Sequence, residues 1–236
     1  MNELEYREAI KAYTDVDGLV AHKKLAHPNE RGSSGNGLLY TSIHLISLHQ
    51  NGWITEEDKK KFSNTVDACK VERNGWLLNR NPLSTILNSH DDYTGVAAAL
   101  HICKMPFHAA AMLRDFKERK FILDNEYPYN PRTFRAGLWR MPSFVAHIYN
   151  CAGYAPPLFH KKFLEMNLKI SATFASQASD DSWLLGYLKA MSYKSKASDY
   201  FINKLKTTFQ DKGQGIVSRV LDEDPTHPVG LAFKLI

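Results

Sequence analysis

Five side chains with acid–base or metal-binding chemistry lie within the stretch "NSHDDYTG", residues 88–95. The stretch holds one amide, one imidazole, two adjacent carboxylates and one phenol, supplied by Asn88, His90, Asp91, Asp92 and Tyr93. Imidazole, carboxylate and phenol groups serve as general acids and bases when a protein positions them next to a substrate. We therefore predict that these five residues form the catalytic centre if the protein is an enzyme.

The same stretch has a simpler structural explanation. It directly precedes the apolar run "VAAALHIC", so a helix is expected to begin within it. Ser89, Asp91 or Asp92 would then cap this helix by accepting hydrogen bonds from its first backbone N–H groups. A cap accounts for one carboxylate, and it leaves Asn88, His90 and the second carboxylate without a role.

The order Asn88-x-His90-x-x-Tyr93, which enters an alanine-rich helix followed by "FHAAAMLRDF", resembles the "NNHSYW" helix entrance of alginate lyases. The likeness covers residues 88–116, and the fold of those lyases is an α/α toroid. The resemblance implies β-elimination at a uronic acid. In that reaction Asn88 would neutralise the substrate carboxylate and His90 or Tyr93 would remove the C5 proton. Tyr93 would also protonate the leaving oxygen.

The sequence differs from the lyase motif at Ser89 and at Asp91-Asp92, which indicates a second reaction. Paired carboxylates on an α/α toroid can act as acid and base in glycoside hydrolysis. Adjacent aspartates cannot easily flank one glycosidic bond from both sides, so a distant carboxylate would be needed. The candidates on other polar loops are Glu30, Asp124 and Glu126.

A metal site is a third interpretation, because His90, Asp91 and Asp92 are competent ligands. Neighbouring positions in a chain seldom all point at one ion, and no HxxxH motif occurs elsewhere in the sequence. We predict that the protein holds no metal and no cofactor. The phosphate-loop, dinucleotide-binding, zinc-protease and serine-hydrolase motifs are also absent from the sequence.

Aromatic and basic residues gather in the segments "ERNGWLLNRN" and "EYPYNPRTFRAGLWR". Aromatic rings can stack on sugars, and guanidinium groups can hold anions. The predicted substrate-binding residues are Trp76, Arg80, Tyr127, Tyr129, Arg135 and Trp139, with Arg132 and Arg140 as further basic candidates. The alternative for Trp139 is a place in the hydrophobic core.

Helices must position these residues, because apolar residues recur at helical spacing along almost the whole chain. We predict an all-α fold of about nine helices. Thr55, with Asp58 three residues later, predicts one helix start, and Asn51-Gly52 predicts the end of the helix before it. That preceding helix places Leu39, Ile43 and Ile46 on one face.

The helices alternate with short and long loops, which favours helical hairpins. We predict one domain over residues 1–236, arranged as a partial α/α toroid or an irregular helical array. The loops "RGSSGNG", "NSHDDYTG" and "EYPYNPRTFR" would line its cleft.

Composition limits the classes of partner. The 44% hydrophobic and 23% charged residues are typical of a globular protein, and the net charge of +5 favours anionic partners. Such partners include acidic polysaccharide and nucleic acid, and charge alone does not choose between them. No dense basic stripe with interleaved aromatic residues occurs, so nucleic acid is the less expected of the two.

The N-terminus has no signal-peptide pattern, and no apolar run reaches the roughly 18 residues of a membrane span. Three cysteines, Cys69, Cys103 and Cys151, lie far apart beside apolar residues and are predicted to be buried thiols. We therefore predict a cytoplasmic or virion-associated protein with no membrane partner.

Two functions remain after these steps. The first is a carbohydrate-active enzyme that cleaves a polysaccharide by β-elimination or glycoside hydrolysis. The alternative is a non-catalytic structural or interaction protein, such as a phage-encoded homo-oligomer or a subunit of a larger assembly. The chain is short for a complete toroid, and a truncated toroid would keep the shape after losing the chemistry.

Overall fold

The computed structural model describes residues 1–21, 24–27, 31, 36–121, 142–173 and 180–212, without the side chains of 180–183 and 208–212. Nine helices lie in these ranges: α1 (Glu3–Lys11), α2 (Gly37–Gln50), α3 (Glu56–Ala68), α4 (His90–Ile102), α5 (Pro106–Glu118), α6 (142–151), α7 (Leu158–Thr173), α8 (Asp180–Ser192) and α9 (Lys196–Lys212). The described residues contain no strand, only isolated bridges such as Lys70 with Leu78. The predicted all-α class is confirmed.

The chain divides into two compact units. Unit 1 comprises residues 1–99 together with 216–236, and unit 2 comprises residues 100–215. The second part of unit 1 lies outside the described residues. The single domain expected from the sequence stays a prediction.

The helix starts of unit 1 are fixed by capping side chains. Asn2 and Glu5 form a reciprocal capping box at the start of α1, and Thr55 and Asp58 form another at the start of α3. Each box satisfies two backbone N–H groups that the first turn of a helix leaves without a partner. The helix start predicted at Thr55 is confirmed.

Helix α2 is buried on every side, with eleven of its fourteen residues in the interior. A helix that is apolar all round is expected at the centre of a fold rather than on its surface. Thr41 and Ser42 tolerate burial because their hydroxyl groups donate to the carbonyl oxygens of Gly37 and Leu38, at 2.7 Å each. The sequence pattern indicated one apolar face, and the structure extends the buried surface around the whole helix.

Helix α4 approaches α2 closely at Gly95. A Cβ atom on Gly95 would lie 2.8 Å from Leu39 Cδ1, 3.1 Å from Leu39 Cα and 3.3 Å from Ser42 Cβ. The side chain of Asp92, one turn earlier in α4, also meets Leu39. These contacts place the first turns of α4 against the first turns of α2.

Unit 2 is built around the mutual packing of α7, α8 and α9. Buried residues of the three helices include Leu164, Leu188 and Phe201. In the part of unit 2 nearer the N-terminus, Phe116 of α5 packs on Phe144 of α6, with ring centroids 6.3 Å apart. Apolar contacts between helices hold this unit together.

The three cysteines are free and buried, as predicted from the sequence. In the part of the chain that the structure describes, no helix is both long enough and apolar enough to cross a membrane.

Substitution of Gly95 by alanine tests the close approach of α2 and α4. The added methyl group would overlap Leu39 and force the helices apart, so we expect the free energy of unfolding to fall by about 1–3 kcal/mol. Urea denaturation measures this change. Gly37→Ala is the matched control, because the atoms nearest to a Cβ there belong to Leu19 and lie at an ordinary 3.5 Å or more. Equal stability of the two variants would contradict the predicted steric contact.

Candidate functional site

The loop between α3 and α4 folds back on itself and delivers the candidate residues to the start of α4. The backbone N–H of Asn79 donates to Cys69 O at 2.7 Å, and that of Asn88 donates to Leu78 O at 2.8 Å. Isolated bridges join Lys70 to Leu78 and Asn79 to Leu87. Together these contacts hold the chain directly before α4 against the segment that contains Leu78.

Asp92 is fully buried and binds the N-terminus of α2. Its Oδ1 atom accepts a hydrogen bond from the backbone N–H of Leu39 at 3.0 Å, and its Oδ2 atom accepts one from Ser89 Oγ at 3.2 Å. The N-cap residue of α2, Asn36, makes no side-chain cap bond of its own. A carboxylate from α4 therefore satisfies a first-turn N–H group of another helix, where the helix dipole also favours negative charge.

Burial raises the pKa of Asp92 to about 7, although hydrogen bonds from the Leu39 backbone and from Ser89 favour the charged form. The negative charge of Asp91 adds to the upward shift of the pKa. Loss of hydration is the dominant cause, because a carboxylate without water is less stable than the neutral acid.

Tyr93 lies in the core, with an exposed fraction of 0%. Its hydroxyl oxygen accepts a hydrogen bond from the backbone N–H of Leu78 at 2.8 Å. This bond ties the preceding loop to α4 and leaves the phenol inside the protein. The role of Tyr93 as a catalytic acid or base stays a prediction, and the structure gives the residue a definite structural role.

Of the remaining three residues of the cluster, two lie nearer the surface and one is buried. His90 and Asp91 are half-buried in the first turn of α4. Asn88 is 6% exposed, and its Nδ2 atom donates to Asn79 O at 3.0 Å. The Oδ1 atom of Asn88 is buried without a hydrogen bond to any residue that the structure describes. The cluster is thus split between three interior residues, Asn88, Asp92 and Tyr93, and two half-buried ones, His90 and Asp91.

Of the predicted substrate-binding residues, the structure describes Trp76 and Arg80. Trp76 is buried, and the ammonium group of Lys70 covers its ring at 4.3 Å from the centroid, in cation–π geometry. Arg80 is exposed on the loop before α4. The other candidates lie outside the described residues: Tyr127, Tyr129, Arg132, Arg135, Trp139 and Arg140, and with them the acidic residues Glu30, Asp124 and Glu126.

Two of the three loops predicted to line a cleft precede helices whose N-termini are in contact. The helix that follows "RGSSGNG" is α2, the helix that follows "NSHDDYTG" is α4, and their N-termini are joined through Asp92 and Leu39. The third loop, "EYPYNPRTFR", lies outside the described residues. Within the described ranges, no group of three or more His, Cys, Asp or Glu residues is placed to hold a metal ion.

Unit 1 also contains a pocket that no motif of the sequence indicates. Its volume is about 320 Å³, and His44, Asp58 and Lys61 are among the residues that line it. His44 Nδ1 lies 3.1 Å from the hydroxyl of Tyr6, and burial lowers the pKa of His44 to about 4. Asp58 forms a bidentate ion pair with Arg7, at 2.9 Å for each bond. His44 and Asp58 are thus held by contacts with Tyr6 and Arg7 of α1.

No protein-family model, no curated protein and no solved structure matches this chain.

The raised pKa of Asp92 predicts a pH-dependent stability. The unfolded chain releases this proton near pH 3.8 and the folded chain near pH 7. Stability should therefore fall as the pH rises from about 4 to about 7 and stay lower above that range. Asp92→Asn keeps an acceptor for the Leu39 N–H but cannot ionise. As the pH rises through this window, we expect the free energy of unfolding of the variant to increase relative to that of the wild type by at most about 1.4 kcal/mol for each pH unit.

Urea denaturation between pH 5 and pH 8 measures the difference between the two proteins. The comparison with the wild type is necessary because His44, whose pKa is lowered by burial, makes stability rise with pH below 6.5. Asp67→Asn, at an exposed position near the end of α3, is the control and should keep the wild-type slope. Parallel slopes for Asp92→Asn and the wild type would contradict the prediction.

Proposed function

We propose that this chain is a non-catalytic interaction protein built on part of an α/α toroid. The observation that supports the proposal is the use of Asp92 and Tyr93 inside the fold. Both side chains are fully buried, and each accepts a hydrogen bond from a backbone N–H group, of Leu39 and Leu78 respectively. The catalytic hypothesis needs these two groups at a substrate.

The energetic cost of breaking the hydrogen bonds of Asp92 and Tyr93 supports the same proposal. If either side chain turned toward a substrate, it would leave a backbone N–H group without a partner in the interior. Each such group costs about 1–3 kcal/mol. An enzyme would have to meet this cost in every catalytic cycle, whereas a structural protein gains the same hydrogen bonds permanently.

The packing of consecutive helices supports a toroid-like scaffold, because such scaffolds are built from helical hairpins whose two helices pack against each other. Helix α3 follows α2 in the chain and packs against it, as the second helix of such a hairpin does. The viral origin and the larger assembly predicted from the sequence stay predictions.

The polysaccharide-cleaving enzyme is the second candidate function. It is favoured by the position of His90 and Asp91, which stay partly exposed beside the N-termini of α2 and α4. Asn88 adds a buried acceptor, Oδ1, without a hydrogen bond to any described residue. In this version His90 would act as the base, and Arg80 would attract an anionic chain to the surface.

An activity panel separates the two candidates. The wild-type protein is incubated with alginate, polygalacturonate and hyaluronan, and with neutral polysaccharides, while unsaturated products and new reducing ends are measured. We expect neither product to form. Turnover that His90→Ala abolishes without loss of thermal stability would overturn the proposal in favour of the enzyme.

The structural role of Tyr93 gives a separate prediction. Tyr93→Phe removes the acceptor of the Leu78 N–H group, so the free energy of unfolding should fall by about 1–3 kcal/mol. His90→Ala, at a half-buried position, should cost less than about 1 kcal/mol. Urea denaturation measures both values. A Tyr93→Phe protein as stable as the wild type would show that the Leu78 N–H does not depend on this hydroxyl.

A further inference from the structure

Unit 2 contains an open groove of about 700 Å³ that runs along α5. The residues of α5 that line it include Phe107, Arg114, Lys117 and Glu118, which recur at intervals that place them along one side of the helix. The distance along the helix from Phe107 to Lys117 is about 15 Å, from a rise of 1.5 Å per residue. The groove is therefore long enough for an extended ligand.

Aromatic side chains form the rim of this groove. Phe107 is 89% exposed, more than any other large hydrophobic side chain that the structure describes, and Tyr154 is 56% exposed. Burial of a phenylalanine side chain stabilises a protein by about 1.5–3 kcal/mol, and Phe107 forgoes almost all of this. Exposed apolar surface with a polar border is typical of a binding site.

The floor of the groove is shallow. Ala110 and Ala111 provide small side chains, and Leu113 is buried beneath them. A floor of this kind offers no deep cavity for a bulky anchoring side chain of a peptide. The apolar surface available to a ligand is instead the flat face of an aromatic ring, which suits the flat apolar face of a sugar ring.

The charged residues of the groove favour an anion. Arg114 and Lys117 are exposed, and neither forms an ion pair with a described residue. The Lys117 ammonium group lies 5.9 Å from the centroid of the Tyr149 ring, and Tyr149 also lines the groove. The carboxylate of Glu118 offsets one of the two cations, so the excess of positive charge is modest.

We propose that this groove binds a short anionic oligosaccharide, with sugar rings stacked on Phe107 and Tyr154 and acidic groups held by Arg114 and Lys117. A single-stranded nucleic acid fits less well, because it carries a phosphate on every nucleotide and depends on a continuous basic track. This site goes beyond the proposed function of the chain, since it lies wholly in unit 2 and uses no residue of the stretch 88–95.

Calorimetric titration of the full chain with anionic tetrasaccharides tests the proposal. The probes are tetramers of guluronate, tetramers of galacturonate and a sulfated heparin fragment, with a neutral chitin tetramer for comparison. We expect saturable binding of at least one anionic probe, weaker binding of the neutral one, and an affinity that falls as salt is added. Absence of binding by all three anionic probes would overturn the proposal.

Two variants connect the binding to the groove. Phe107→Ala and Arg114→Gln should each weaken binding at least tenfold, and Arg114→Gln should also reduce its salt dependence. Both positions are exposed, so thermal stability should stay at the wild-type value. Phe159→Ala, at an exposed phenylalanine of α7, and Arg73→Gln, at an exposed arginine of unit 1, are the matched controls and should bind normally.

Equal affinity of the groove variants and the wild type would place the binding elsewhere and refute this site. Tighter binding of poly-glutamate or oligothymidylate than of every saccharide would refute the ligand class. Cleavage of a bound saccharide would overturn the non-catalytic function proposed for the chain and leave the groove assignment intact. The two proposals therefore fail in different ways.

Discussion

The hydrogen bond from the Leu39 N–H group to the Asp92 carboxylate is the constraint on which the arrangement of unit 1 depends. Helix α2 is buried on all sides, so the unpaired N–H groups of its first turn cannot all be satisfied by water. Asp92 meets one of these N–H groups from α4, at a distance of 53 residues along the chain. The same bond fixes the position of one helix N-terminus relative to the other.

This hydrogen bond also explains which residue types occupy the neighbouring positions of α2 and α4. Because α4 must come close enough for a short carboxylate to reach the backbone of α2, the next turn of α4 needs a residue without a side chain, and Gly95 occupies that position. On α2 the facing residue is the small Ser42, whose hydroxyl group is satisfied by Leu38 O. Tyr93 then binds the Leu78 N–H group and secures the preceding loop. Asp92, Tyr93 and Gly95 of "NSHDDYTG" therefore serve to hold α4 against α2 and against the preceding loop.

Local features of the sequence predict where helices begin and end, but they do not predict which residues of different helices contact each other. The start of α3 at Thr55 and the end of α2 before Gly52, whose φ is +71°, follow from side-chain and backbone preferences that act within a few residues. A capping role for Asp92 was also foreseeable. Its acceptance of a bond from α2 was not, because the sequence does not tell which backbone N–H group a buried carboxylate will meet. The groove along α5 was missed for a related reason, since the sequence does not reveal that Phe107 stays exposed.

A carboxylate with a pKa near 7 in a cluster of polar residues has two physical explanations. Catalytic sites use such groups because proton transfer is most effective when the pKa lies near the working pH. Burial alone produces the same shift, and it does so here at a helix N-terminus that needs an acceptor. The position of the hydrogen-bonding partners decides between the two explanations. A group that accepts from the backbone N–H of Leu39 and the hydroxyl of Ser89 already uses both of its oxygen atoms within the fold. The raised pKa of Asp92 is therefore best explained by the burial of a carboxylate that joins α4 to α2, and a search for chemistry in this protein should begin with the groups that face solvent.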